Sequence, residues 1–97
     1  MPAYVIVDLQ ELTDIEKMGA YRPHGAAAVE KFGGRYLARG GKTDGLEGNW
    51  SSQRIAILEF ASLEQARAWY DSPEYAAARK IRDGAANMRM IAVESVA

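Results

Sequence analysis

Apolar residues recur with two different periods along this chain, and the switches between them mark its elements. "AYVIVDL", Ala3 to Leu9, is dense in β-branched and aromatic residues and bounded by polar sequence, which predicts a strand. The period then lengthens. Thr13-Asp14-Ile15-Glu16 fits a capping box, with the Thr13 hydroxyl accepting the Glu16 N–H and the Glu16 carboxylate reaching back to Thr13. Ile15, Met18, Arg22, Val29 and Phe32 follow at helical spacing, and Gly33-Gly34 stops the helix. Pro23 lies inside this run and removes an internal hydrogen bond, which predicts a kink or break near Tyr21-Arg22. "RYLAR", Arg35 to Arg39, reads as the second strand and "QRIAILEF", Gln53 to Phe60, as the third. Ser62-Leu63-Glu64-Gln65 opens the next helix with a second capping box. That helix shows Leu63, Ala66 and Tyr70 on one face, pauses at Asp71 and restarts at Ser72-Pro73. There Ser72 caps, and the proline sits at the first helical position, where its missing N–H costs nothing. Tyr75, Ala78 and Ile81 face inward until Gly84, and "MRMIAVESV", Met88 to Val96, is the last strand.

Strand, helix, strand, strand, helix, strand is the split βαβ order. The prediction is one α+β domain over residues 1–97, a ferredoxin-like βαββαβ fold with a four-stranded antiparallel sheet. An antiparallel sheet with one wet face should alternate apolar and polar residues. These strands do not. Ala3, Val5, Val7 and Leu9 oppose Tyr4 and Ile6; Ala56, Leu58 and Phe60 oppose Ile55 and Ile57; Met88, Met90 and Ala92 oppose Ile91 and Val93. Two helices in this topology cover one face only. Leaving the other wet would forgo about 1.5–3 kcal/mol per side chain, on the order of 10 kcal/mol together, as much as the whole stability of a small domain. A second copy packed face to face supplies the cover, so the expected assembly is a homodimer forming a dimeric α+β barrel.

Between the second and third strands, Gly40 to Ser52 is far longer than an ordinary hairpin loop and carries Leu46 and Trp50, which predicts an arm folded over its own sheet edge or onto the partner. Its "GGKT" resembles the tail of a phosphate-cradling loop. Tyr36, however, stands where the first glycine belongs, and Asp44-Gly45 and Gly48-Asn49 are turn chemistry in place of a following helix. The glycines are better explained as a sharp departure from the strand.

Composition narrows the chemistry. The 97 residues hold 12 Lys+Arg against 13 Asp+Glu, mixed along the chain, so neither nucleic acid nor an anionic membrane is an expected partner. With no cysteine and one histidine there is no disulfide framework, thiolate nucleophile or multi-histidine metal site. No metal and no cofactor are expected. "MPAYVIVDLQ" has a short apolar run and no basic leader, so it reads as a strand and not as a signal peptide, with a cytoplasmic location as the default.

Arg39-Gly40-Gly41, Leu46-Glu47-Gly48, Trp50, Glu59-Phe60, Ala66, Trp69-Tyr70 and Ser72-Pro73-Glu74-Tyr75, with Arg79 beyond, resemble the domain of unknown function 1330 family over almost the full chain. That family is similar to the dimeric α+β barrel group, to which small cofactor-free oxygenases and isomerases also belong. The resemblance implies the same fold and dimer and carries no catalytic set with it.

The polar candidates are few. His24 follows Pro23 and is either a helix-end surface residue or a base in a pocket. Asp8 and Glu59 sit in strands of Val, Ile and Leu, where an unpaired carboxylate is costly. Arg39, Arg54 and Arg79 are their candidate partners. Such a pair is either structural, or Arg39 takes a ligand carboxylate or enolate oxygen while Glu59 or Asp8 orients it. Tyr21, Trp50, Trp69, Tyr70 and Tyr75 are either core and interface or the walls of a cleft between helices and sheet. The first reading is a pocket for a small aromatic or carbonyl-containing molecule, in its enzymatic form a cofactor-independent oxygenase or isomerase. Its catalytic candidates are His24, Arg39 and Glu59, and its ligand contacts Asp8, Tyr21, Trp50, Trp69 and Tyr70. The alternative is a non-catalytic ligand-binding or protein-interaction module.

Overall fold

The computed structural model describes residues 1–97. Its elements run β1 (Ala3–Leu12), α1 (Ile15–Lys31), β2 (Arg35–Arg39), β3 (Arg54–Phe60), α2 (Leu63–Asp71), α3 (Pro73–Ile81) and β4 (Ala86–Glu94). The strands form one antiparallel sheet in the order β2-β3-β1-β4, the ferredoxin-like arrangement that the element order predicts. β1 continues past a bulge between Leu9 and Glu11 to pair with the start of β4.

Two local expectations need correction. Asp14, not Thr13, caps α1, accepting the Lys17 N–H at 3.0 Å. Asp caps a helix at least as well as Thr. Thr13 is thereby released to donate its hydroxyl to the Gly84 carbonyl, while its backbone N–H and that of Asp14 both reach the Ala85 carbonyl, so the start of α1 is tied to the turn before β4. Nor does Pro23 break the helix, which is continuous from Ile15 to Lys31. Pro23 and Gly19, whose carbonyl loses its i+4 donor, are both exposed. Water can satisfy that carbonyl, and a proline on the outer side is compatible with a helix curved around its core.

The other signals appear as read. Ser62 accepts the Gln65 N–H at 3.0 Å and Ser72 the Tyr75 N–H at 3.1 Å, although the Gln65 side chain donates to the Phe32 carbonyl instead of closing the box. α1 ends in a Schellman turn. Gly33, at φ 74°, donates to the Glu30 carbonyl and Gly34 to that of Val29, a geometry L side chains adopt at a cost.

Cross-strand partners share a face. Val5 opposite Leu58 and Ala92, Val7 opposite Ala56 and Met90, and Leu9 opposite Arg54 and Met88 define the face under the helices. There Val5, Leu58 and Phe60 meet Ala28 and Val29 of α1, Ala66 and Trp69 of α2, and Tyr75 and Ala78 of α3 in one buried cluster. Trp69 is its hub, with ring centroids 5.2 Å from Phe60 and 4.3 Å from Tyr75. The opposite face carries Ile6 across from Ile57 and Ile91, and Tyr4 across from Val93. No helix covers it, and Ile91 and Val93 stand 66% and 49% exposed.

The two mid-helix glycines of α1 differ in what surrounds them. A methyl group at Gly19 would meet nothing within 4 Å, whereas at buried Gly25 it would lie 2.8 Å from the Tyr21 ring. Gly19→Ala should therefore raise stability by about 0.5–1 kcal/mol through helix propensity. Gly25→Ala should lower it, because Tyr21 is pinned. Chemical denaturation of both variants checks the opposite signs.

Candidate functional site

A cavity of about 80 Å³ lies between the helices and the covered face of the sheet, several times the ~10–15 Å³ that one water requires. Its apolar walls come from Val7, Leu9 and Ala56 of the sheet, Met88 and Met90 of β4, and Met18 of α1. Tyr21, Trp69 and Tyr75 bring ring faces to it, and Tyr36, Arg22, Arg39 and Arg54 bring polar groups.

Strand register places the two strand arginines. Arg39 pairs with Ala56 and Arg54 with Leu9, so both lie on the helix side of the sheet at the ends where the Gly40 to Ser52 arm leaves and returns. Gly40 takes φ 71° and donates to the Ile55 carbonyl at 3.0 Å; a Cβ there would sit 3.0 Å from the Arg54 guanidinium carbon. This glycine turns the chain outward and leaves room for Arg54. The Arg39 guanidinium lies 4.2 Å from the centre of the Tyr36 ring, a cation–π distance that holds it at the rim.

Deeper in, the Tyr21 and Tyr75 hydroxyls are 2.7 Å apart. Burial first, and then the neighbouring Tyr75 phenol, push the Tyr21 phenol far above the ordinary tyrosine range, and burial likewise raises Tyr36. The Tyr21 and Tyr36 phenols therefore stay protonated under physiological conditions. One hydrogen bond links the pair and leaves one O–H to donate elsewhere. Arg82 approaches from behind, 5.2 Å from the Tyr21 ring centre. Burial opposes its charge, but the Tyr75 and Tyr21 oxygens outweigh that and hold its pKa above the usual value. The cavity thus offers neutral donors and cations in an apolar setting, while neither carboxylate nor imidazole lines it.

Of the residues singled out from sequence, Arg39, Tyr21 and Trp69 come together here. Tyr70 lies beyond Trp69, in a groove between α2, α3 and β4. His24 is exposed on α1 and outside the cavity lining. Glu59 and Asp8 point to the uncovered face, opposite Tyr4 and Ile55 respectively. Their partners are not Arg39, Arg54 or Arg79. Glu59 accepts from Arg35 at 2.6 Å, and Asp8, 3% exposed, accepts from Arg89 at 3.0 Å and from Ser52. Each arginine is the one that lies opposite on the same face of a neighbouring strand. Trp50 is 57% exposed in the arm. Tyr75, weighed from sequence only as core or cleft wall, also enters the site, and Tyr36 and Arg54 enter it without having been assigned to it; the strand alternation that puts Leu9 and Leu58 under the helices is the signal that selects these two.

The full-length match decides the family. The sequence fits "Domain of unknown function (DUF1330)" over residues 2–96. The chain belongs to the DUF1330 family. No curated protein matches this DUF1330 chain in sequence. Among solved structures it is similar to RPA0582 of Rhodopseudomonas palustris, a protein of unknown function, with 20% identity and a TM-score of 0.78 over 99% of this chain and 83% of that one. A dimeric ferredoxin-like protein of unknown function from Bacteroides fragilis shares 16% identity at a TM-score of 0.59, covering 97% and 96%. SnoaB of Streptomyces nogalater, a cofactor-independent oxygenase, shares 8% at a TM-score of 0.68, covering 97% and 92%. At these identities the likeness establishes the ferredoxin-like fold of this DUF1330 chain.

The Ser52 hydrogen bond, opposed by burial and reinforced by Arg89, holds the Asp8 carboxyl below its ordinary value. A depressed carboxylate pKa contributes stability that is present above the unfolded-state value, about 3.9, and is lost as pH falls through the folded value. Asp8→Asn should therefore melt below the wild type at pH 7, and the gap should close below about pH 4. Thermal melts across pH 3–8 measure it.

Proposed function

We propose that this protein is a homodimer whose subunits each bind a small planar aromatic or carbonyl-containing molecule in its anionic form, in the cavity between helices and sheet. The observation that carries the reading is the meeting of Arg39 and Arg54 with the hydrogen-bonded Tyr21–Tyr75 pair inside apolar walls. A guanidinium fork and a phenolic donor suit a carboxylate, enolate or phenolate oxygen, and the rings and methionines suit the carbon skeleton. Of the earlier candidates, Arg39, Tyr21 and Trp69 are retained as ligand contacts. His24, Glu59 and Asp8 have no place in a cavity they do not line, so the site has no evident general base.

An enzymatic version is favoured by the structural likeness to SnoaB, a cofactor-independent oxygenase. In it the substrate is acidic enough to enter as its enolate or phenolate. The guanidiniums stabilise that anion. Dioxygen, as co-substrate and oxidant, then adds at its carbon to give a peroxide anion, which takes a proton from water and loses water as the carbon becomes a carbonyl. In an isomerase the anion is instead reprotonated from water at another carbon. The alternative is binding without turnover.

Dimerisation follows from the uncovered face and is supported by the dimeric ferredoxin-like neighbours. Ile91 and Val93, with the half-buried Ile6, Ile55 and Ile57, would recover on the order of 5 kcal/mol by meeting a second copy.

Small phenols and keto acids screened by thermal shift should include compounds that raise the melting temperature. Arg39→Ala should weaken the best of them by roughly tenfold or more, the value of one charged hydrogen bond. A screen with no positive response, or responses untouched by Arg39→Ala, rejects the site. For the assembly, sedimentation at micromolar concentration should show a dimer, and Ile57→Glu a monomer with a lower melting temperature. A compact wild-type monomer rejects the dimer.

A further inference from the structure

A groove of about 970 Å³ runs between α2, α3 and β4 and adjoins the cavity, sharing Trp69, Met88 and Met90 with it. Met88 and Met90 form its apolar floor, and Trp69 and Tyr70 stand over it beside Arg79 and Arg82. The two arginines are three positions apart, hence on one side of the helix end. They are half-buried, and each has a buried Nε–H with no acceptor. The Trp69 indole N–H is a third such donor, on a residue only 2% exposed. The partners they do have are tyrosines: Arg79 donates to the Tyr70 hydroxyl at 3.4 Å and lies 4.4 Å from the centre of that ring, and Arg82 faces Tyr21 and the Tyr75 oxygen.

No carboxylate meets the positive charge here. The chain's ion pairs join Lys31 to Glu74, Arg35 to Glu59, Arg67 to Asp71 and Arg89 to Asp8, and leave Arg79 and Arg82 without a carboxylate. Glu64 and Asp83 also border the groove, but neither comes within ion-pairing distance of them. The carbonyl end of α3 supplies only about half a negative charge, against two guanidiniums. Buried Nε–H donors with no acceptor are costly until one meets them, and a carboxylate is the acceptor that suits a guanidinium.

We propose that this groove is a second ligand site, distinct from the cavity, that takes a monocarboxylate with an unbranched apolar tail. The carboxylate accepts from Arg79 and Arg82, and the tail lies along Met88 and Met90. Flexible thioether side chains accommodate a chain of no fixed shape, and the volume falls within the usual range for small-molecule sites.

The test is isothermal titration of the full chain with decanoate and with decanol at matched concentration. Decanoate should bind and decanol should bind at least tenfold more weakly. Arg79→Gln and Arg82→Gln should each weaken decanoate at least tenfold, while Arg39→Gln, at the rim of the cavity, should leave it unchanged. Circular dichroism confirms that each variant is folded, and wild-type affinity that falls with added salt supports the same contact should one variant unfold. Equal binding of the alcohol, or decanoate affinity that follows Arg39 in place of Arg79 and Arg82, overturns the proposal. No decanoate binding by the wild type overturns it as well, without touching the cavity, whose test uses planar ligands and Arg39.

Discussion

The constraint on which the rest depends is that the sheet is apolar on both faces and the chain has helices for one. β-branched strands pair through backbone hydrogen bonds whatever lies above them, but the free energy that selects this fold comes from apolar area removed from water. On the helix side that demand is met by Phe60, Trp69 and Tyr75, packed ring on ring. On the other side the strands still present Ile6, Ile57 and Ile91 in a row, with charge at Glu59, which Arg35 meets, and, buried, at Asp8. That aspartate is tolerated because Ser52 and Arg89 satisfy it within the same face. A polar island of this kind favours one register between opposing surfaces over others, which plain apolar contact does not.

The same constraint explains what lies between helices and sheet. Large rings do not tile a twisted sheet without gaps, and the two gaps here meet at Trp69, which borders both. Cations collect at their borders because the ends of β2, β3 and α3 lie there. The tyrosines serve as neutral spacers, each carrying an arginine on its face or edge.

Element order, strand identity and the doubly apolar sheet were all legible in the sequence, because period and turn chemistry are local properties. The Ser62 and Ser72 caps were legible for the same reason. The Thr13 cap was misplaced by one residue because Thr and Asp are near-equivalent caps, and the choice was made by the turn at Gly84 and Ala85, far away in sequence. Pro23 does not break the helix, because its effect depends on which side of the helix faces water. Of the candidates chosen by residue type, Arg39, Tyr21 and Trp69 line the cavity. Asp8 and Glu59 were not placed, although strand parity was available: Asp8 shares its face with Tyr4 and Ile6, and Glu59 with Ile55 and Ile57. Arginine partners were sought by type when register decides them, and register is long-range.

The connectivity of the sheet bears on how the chain reaches this state. β1 sits between β3 and β4, and its pairing with β4 joins Ala3 to Glu94 at one end and Leu12 to Ala86 at the other. The central strand therefore has only one neighbour until residues 86–94 leave the ribosome. Folding must close a loop of nearly the whole chain, which places this domain among those whose assembly is slow for their size.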